Sequence, residues 1–330
     1  MKKMETYKCL VADNCSAEGL KTFGKYPNID VVINTKHTTG ELIQLIPEFH
    51  AMIVRSATKV TREVIEAAEN LKVICRAGAG YNNIDVEACN EKGIAVLITP
   101  TGNTNAVVEL TMGLMLSFAR HIPQANNSMK AGRWDKKKLS GTEIKGKILG
   151  VLGIGRIGAG VATRCRVFGM KVIAYDKYVT QERLNGMGLD FVKLYDDLNN
   201  FLSEVDYLSL HIPVTPETKS MLGAEQFEIM KDTAVIINCA RGAVIDEAAL
   251  YDALKNHKIG GACIDVYSKE PANKEDFPFI ELENVICTPH LGASTEEAQI
   301  NVASLAADQI GQLLNDGKYI DCVNLKAIQK

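Results

Sequence analysis

Two groups of residues in this chain have the types and spacing that chemistry requires. The first is Gly153-Ile-Gly155-Arg-Ile-Gly158, a G-x-G-x-x-G that follows the apolar run Lys147–Leu152 and opens a helical pattern. In that setting each glycine has a physical duty. Gly153 allows a tight turn, Gly155 lets the backbone approach a pyrophosphate, and Gly158 lets the helix pack against the sheet. The free N–H groups at the helix start, together with its positive dipole end, favour phosphates. A second apolar run ends at Asp176, 18 residues after Gly158. A carboxylate there can accept hydrogen bonds from adenosine ribose hydroxyls and repel a 2′-phosphate. The chemistry is dinucleotide binding, with NAD preferred over NADP.

The second group is a set of polar residues just past apolar runs. Arg241 follows Val235–Cys239, Asp265 ends Ala262–Asp265 with Glu270 in the loop beyond, and His290 follows Val285–Pro289. In an open parallel sheet, ligands bind at the carboxyl ends of the strands. An Arg can clamp a carboxylate with two parallel hydrogen bonds. A His can exchange a hydroxyl proton near neutral pH, and a Glu beside it stabilises the imidazolium. The set suits a hydroxy acid. Taken singly, Arg241 also reads as a salt-bridged surface residue and His290 as a cap.

Other motifs carry less. Gly141-Thr-Glu-Ile-Lys-Gly146-Lys147 begins like a nucleotide-triphosphate loop, but Ile148 stands where the Mg²⁺-binding hydroxyl is needed, and a strand follows instead of a helix. His211 ends a strand and reads as packed, and Cys239 reads as a small core residue. Asp135-Lys-Lys-Lys138 reads as a solvated face. The nine cysteines contain no Cys-x-x-Cys pair, and no His-Glu-x-x-His or Gly-x-Ser-x-Gly occurs, so neither a metal site nor a serine nucleophile is expected.

The elements that must position these residues alternate in type. Expected strands are Cys9–Ala12, Val31–Asn34, Ala51–Val54, Val73–Arg76 and Ile94–Ile98, nearly continuous in apolar residues as doubly buried parallel strands are. Expected helices are Ala17–Phe23, Gly40–Ile46, Thr61–Ala68 and Val86–Glu91, the last with Asp85 as N-cap and Gly93 beyond its end. After the break Pro100–Asn103 comes a long apolar helix, Thr104–Arg120, ended by Pro123. A second series has strands at Ile148–Gly153, Val172–Asp176, Tyr207–Ile212, Ala234–Cys239, Ala262–Val266 and Val285–Thr288. Its clearer helices are Ile157–Phe168 and Ala243–Lys255, and Ser268–Asp276 is a loop. Ser294-Thr-Glu-Glu297 reads as a capping box opening a helix from Thr295 to about Asn315, with Gly317 past its end. That helix can carry the chain back to the first series. Alternation of this kind defines an α/β layered fold.

The 330 residues fit about two domains. With 46% hydrophobic and 23% charged residues the composition is that of a soluble globular protein. The net charge of −3 gives no support to nucleic-acid binding. The apolar runs are too short to span a bilayer, and Met1–Lys8 has no signal-peptide core behind it. A cytoplasmic protein is expected, with a small-molecule substrate.

Beyond these readings, the sequence resembles the D-isomer-specific 2-hydroxyacid dehydrogenases over nearly its whole length. The segments that carry the resemblance are Val54–Lys59, Arg76–Asp85, Gly153–Gly158, Asn238–Gly242, Asp265–Pro271 and Pro289–Ser294. It implies two doubly wound parallel-sheet domains. One is a flavodoxin-like substrate domain of residues 1–103 and 297–330, the other a Rossmann-type NAD-binding domain of residues 104–296, with a cleft that closes on substrate. It implies Arg241, Glu270 and His290 as catalytic residues. Cofactor contacts fall on Gly153, Gly155, Arg156, Ile157, Gly158, Asp176, Cys239, Asp265, Ala79, Gly292 and Ala293. Substrate contacts fall on Arg55, Ser56, Gly78, Arg241, Lys136 and Lys137. The implied reaction is NAD-dependent oxidation of a hydroxy acid at C2, with Arg55 and the basic run Lys136–Lys138 favouring a phosphorylated substrate, 3-phospho-D-glycerate. Alternatives are a hydroxypyruvate, glyoxylate or D-lactate enzyme of the same family, or a dinucleotide-sensing module that keeps the same residues. Members are usually homodimers joined through the nucleotide domains. The chain's end soon after the capped helix leads us to expect no C-terminal regulatory domain.

Overall fold

The computed structural model describes residues 5–329. Met1–Met4, read above for a signal segment, and Lys330 lie outside them. The chain divides into two compact units, Met1–Thr104 with Ala293–Lys330, and Asn105–Gly292. The second change of unit comes earlier than the 296/297 junction read from the sequence.

The first unit is built on five strands: β1 (Tyr7–Val11), β2 (Ile29–Ile33), β3 (Ala51–Val54), β4 (Val73–Arg76) and β5 (Ala95–Ile98). All pair in parallel in the order β2-β1-β3-β4-β5, the flavodoxin-like order. β3 is buried along its whole length. Helix Val86–Lys92 is capped as read: Asp85 accepts from Ala88 N at 2.9 Å, and Gly93 takes φ 70°. The long helix Glu296–Asp316 lays Val302, Ala306, Ala307 and Ile310 on Val11, Ile53 and Cys75. The capping box is not formed as read. The cap is Thr295, whose hydroxyl accepts from Ala298 N at 3.1 Å.

The second unit has seven parallel strands: β6 (Ile148–Leu152), β7 (Lys171–Tyr175), β8 (Val192–Tyr195), β9 (Tyr207–Leu210), β10 (Val235–Asn238), β11 (Gly261–Ile264) and β12 (Val285–Cys287). Their order is β12-β11-β10-β9-β6-β7-β8. The chain reverses its direction of growth between β6 and β9, the topological switch where such sheets bind ligands. Three elements differ from the sequence reading, the expected helix Ala243–Lys255 being a 3₁₀ turn, Gly242–Val244, and then a helix, Glu247–Lys255, capped by Asp246. β8 carries Lys193 outward at the sheet edge, so it has no apolar run to announce it. Pro123 begins a helix, Ile122–Lys130, instead of merely ending one. Proline suits the first turn, where its missing N–H is not needed, and His121 at φ 52° turns the chain into it.

Asp206 ties the start of β6 to the sheet centre. Its carboxylate accepts from Ile148 N at 2.7 Å and from Lys231 Nζ at 2.9 Å. Burial raises its proton affinity, but these donors outweigh burial and hold the carboxyl below its ordinary range. A depressed folded-state value contributes stability above the unfolded value that is lost as pH falls through the folded one. Asp206→Asn is therefore expected to cost about 1–2 kcal/mol at pH 7, with the gap to wild type closing in urea melts below pH 4. A gap that persists at pH 2 would contradict this.

Candidate active site

The glycine-rich turn sits at the end of β6, at the switch point. Gly153 has φ 90°, and a Cβ there would meet Ile212 Cγ2 at 2.6 Å and His211 O at 2.8 Å. A Cβ on Gly158 would collide with Gly153 O, so the helix Arg156–Val167 approaches as closely as glycine permits. Gly155 is the opposite case: nothing lies within 4 Å of its Cβ position. Space is open there, and no side chain caps the helix start. Asp176 sits beside this turn, accepting from Ile154 N and Tyr178 N, both at 2.9 Å. Open space, uncapped amides and an acceptor fit a dinucleotide. Gly155→Ala is expected to keep the melting temperature within a few degrees while weakening NADH binding at least tenfold. Gly158→Ala is expected to destabilise by about 1–3 kcal/mol through overpacking. Fluorescence titration and thermal melts separate the two, and equal behaviour would overturn the assignment.

Arg241, Glu270 and His290 come together at the ends of β10, β11 and β12. His290 Nδ1 and Glu270 Oε2 are 2.8 Å apart, both half-exposed. Burial pulls the Arg241 guanidinium below its ordinary value, and the Glu270 charge opposes that shift. Arg241 remains a cation, since nothing deprotonates a guanidinium near neutrality. The loops of Arg241 and Glu270 touch: a Cβ on Gly242 would run into the Tyr267–Ser268 backbone. Glu247 fixes the same loop from below, accepting from Ser268 N at 2.9 Å and from the Ser268 hydroxyl.

Each turn is clamped by a buried polar side chain at a strand end. Asn238 donates to Arg241 O at 2.9 Å and accepts from Ala240 N at 3.0 Å. Asp265 is fully buried and accepts from Thr288 Oγ1, Leu291 N and Gly292 N at 2.5, 2.7 and 3.0 Å. The first unit repeats the device. Asp13 accepts from Arg55 N at 2.5 Å and from Thr58 Oγ1 at 2.8 Å, fixing the turn after β3. Asp13 carried no motif in the sequence, and Asn238 stood in the segment Asn238–Gly242 without a role of its own. Their signal is a polar residue closing an apolar run.

In the first unit Arg55 lines a hollow of about 660 Å³ whose rim also holds Glu18 and Glu296. Its Nη1 donates to Asn14 O at 3.1 Å. The register pairs Val54 with Arg76, so a second arginine, given no role in the sequence reading, ends the neighbouring strand. Gly78 has φ 140°, and the Arg76 guanidinium fills the place of a Cβ. Ser56 is exposed and Ala79 half-buried in the same unit.

Other candidates sort as follows. Lys136–Lys138 form one exposed 3₁₀ turn, and among the described residues no hydrogen bond or ion pair links Lys136 or Lys137 to Arg241, Glu270 or His290. Burial pushes His211 down to about 3, so it is neutral and bonded to Ser209. Burial pushes the Cys239 thiol up to about 12, which leaves it unreactive. Arg156 is exposed and Ile157 half-buried at the helix start, while Gly292 is buried and Ala293 half-buried after the His290 turn. Among the described residues no group of three His, Cys, Asp or Glu could hold a metal, and no helix is long and apolar enough to cross a membrane.

Comparison with known proteins places this geometry. Residues 112–292 match the family model for the D-isomer specific 2-hydroxyacid dehydrogenase NAD binding domain. The chain belongs to the D-isomer-specific 2-hydroxyacid dehydrogenase family, and Asn105–Gly292 is its NAD-binding domain. A D-3-phosphoglycerate dehydrogenase of Methanocaldococcus jannaschii is 48% identical over 321 residues, 97% of this chain and 60% of that protein. The chain thus spans about 60% of the length of that relative. A hydroxypyruvate reductase of Thermotoga maritima is 46% identical over 93% of this chain and 98% of its own. The NAD⁺-bound 3-phosphoglycerate dehydrogenase of Entamoeba histolytica superimposes with a TM-score of 0.80 at 30% identity, covering 97% of this chain and 99% of its own.

Proposed function

We propose that the protein oxidises 3-phospho-D-glycerate to 3-phosphohydroxypyruvate with NAD⁺, reversibly, the entry step of serine biosynthesis. The observation that carries the reading is the His290–Glu270 pair at 2.8 Å with the half-buried cation Arg241 at the adjoining strand end. Arg241 holds the substrate carboxylate through its two-pronged fork. His290 takes the proton of the C2 hydroxyl, and Glu270 holds the ring and stabilises the imidazolium that results. In the reverse direction His290 returns that proton. NAD⁺, held by the Gly153–Gly158 turn and Asp176 with Cys239, Asp265, Arg156, Ile157, Gly292, Ala293 and Ala79, supplies the hydride acceptor.

Phosphate recognition is assigned to Arg55, supported by the relatives named D-3-phosphoglycerate dehydrogenase. Ser56, Gly78, Lys136 and Lys137 are the further substrate contacts. Arg55→Ala is expected to raise KM for 3-phospho-D-glycerate about tenfold to a hundredfold, the loss of one charge-assisted hydrogen bond, while changing KM for D-glycerate less. Equal effects on both would remove Arg55 from the phosphate. Hydroxypyruvate reduction is the second reading, favoured by the match to nearly the full length of the T. maritima enzyme. A homodimer through the NAD-binding domain is supported by exposed Ile122, Met129 and Trp134. The reading also implies the cytoplasm, where the nine thiols stay reduced.

A further inference from the structure

We infer that Thr288 is a positioning residue for His290: its hydroxyl, bonded to the buried Asp265 carboxylate, locks the turn that aims the imidazole at Glu270. The inference rests on the acid–base reading of His290 and adds a residue to it.

His290 sits at φ 54°, in the left-handed region, which a non-glycine residue keeps only when its surroundings over-determine it. The surroundings are specific. Thr288 N donates to Ile264 O at 2.9 Å, the last bond the sheet gives this segment. Pro289 has no N–H to offer. The hydroxyl of Thr288 takes its place, donating to Asp265 Oδ1 at 2.5 Å. The same carboxylate takes the amides of Leu291 and Gly292 on the far side of His290. Among the described residues, every hydrogen-bond donor to this carboxylate lies within residues 288–292, and the histidine is the residue bridged.

The other end of Thr288 reaches the second catalytic loop. Its carbonyl accepts from His290 N and from Tyr267 Oη, both at 3.1 Å. Tyr267 N donates to Glu270 Oε1 at 3.2 Å, and its ring lies parallel to Phe279 in the core. A closed circuit of hydrogen bonds runs from Glu270 through Tyr267 and Thr288 to His290 and back to Glu270, and Asp265 ties Thr288 to Leu291 and Gly292 beside it. Burial raises the Asp265 carboxyl above its ordinary range, and its three donors pull it back. Losing one donor leaves a buried charge short of partners and frees the turn to relax.

Thr288→Val keeps the shape and removes the hydroxyl, while Thr288→Ser keeps the hydroxyl. With folding checked by cooperative thermal melts, Thr288→Val is expected to lower kcat about 10- to 100-fold, since misplacement of about 1 Å costs on the order of 10², with KM for the hydroxy acid within about threefold. Thr288→Ser is expected to stay within about threefold of wild type in both. In a His290→Asn background Thr288→Val should change the residual rate little, because the group it aims is gone. If Thr288→Val does not fold, Thr288→Ala is read the same way. Wild-type kcat in the valine variant, a serine variant as impaired as valine, or an equal fold-loss in both backgrounds would each overturn the inference. Near-normal kcat in His290→Asn alone would instead overturn the acid–base reading beneath it.

Discussion

His290→Asn is expected to lower kcat by about 10²–10⁴-fold, the usual contribution of a positioned acid–base group, while NADH binding and the melting temperature hold. Asparagine tolerates the left-handed backbone that His290 adopts at φ 54°, so the turn should survive. It can keep one hydrogen bond to Glu270, but it cannot carry the proton. The readouts are steady-state turnover by NADH absorbance and NADH affinity by fluorescence. Near-normal kcat would mean that another group moves the proton. Loss of NADH binding together with kcat would mean that the turn had collapsed.

Arg241→Gln is expected to reduce kcat/KM for the hydroxy acid by about 10²–10⁴-fold. Two charge-assisted hydrogen bonds at about 1.5–3 kcal/mol each sum to that range. Asn238 holds the turn through Arg241 O and Ala240 N, and these two bonds remain when the guanidinium, which donates to Ala240 O at 2.6 Å, is lost. NADH affinity should therefore change by less than about threefold. A loss confined to kcat with KM unchanged would assign Arg241 to the transition state alone. A kcat/KM within tenfold of wild type would remove the carboxylate clamp.

Much of this was legible in the sequence because burial on both faces of a parallel sheet writes itself as an apolar run. β3 and β4 match the expected ranges residue for residue. Asp85 and Gly93 announced their helix because caps are chemically particular. The glycine motif was legible for the same reason: Gly153 and Gly158 exclude side chains for different steric causes, and Gly155 leaves the space open. The edge strand β8, half solvated, lacked that signal. The helix from Ile122 was hidden because proline is a stop signal in one context and a first-turn residue in another. The clamps on the functional turns were the least visible. Asp13 acts on a turn 42 to 45 positions away, through bonds that only the strand order brings within reach, while Asn238 acts locally on residues 240 and 241. Glu247 and Thr288 likewise carry no motif, yet they hold the loops of Glu270 and His290.

The most direct test of the central claim is the ratio of kcat/KM values for 3-phospho-D-glycerate and for unphosphorylated acids, D-glycerate and D-lactate, with NAD⁺ at one ionic strength, with hydroxypyruvate and glyoxylate measured against NADH in reverse. The account predicts that the phosphorylated acid is preferred, and that raising salt lowers its kcat/KM most, since screening acts on its extra charge. Better turnover of glyoxylate, hydroxypyruvate or lactate than of the phosphorylated pair would contradict it.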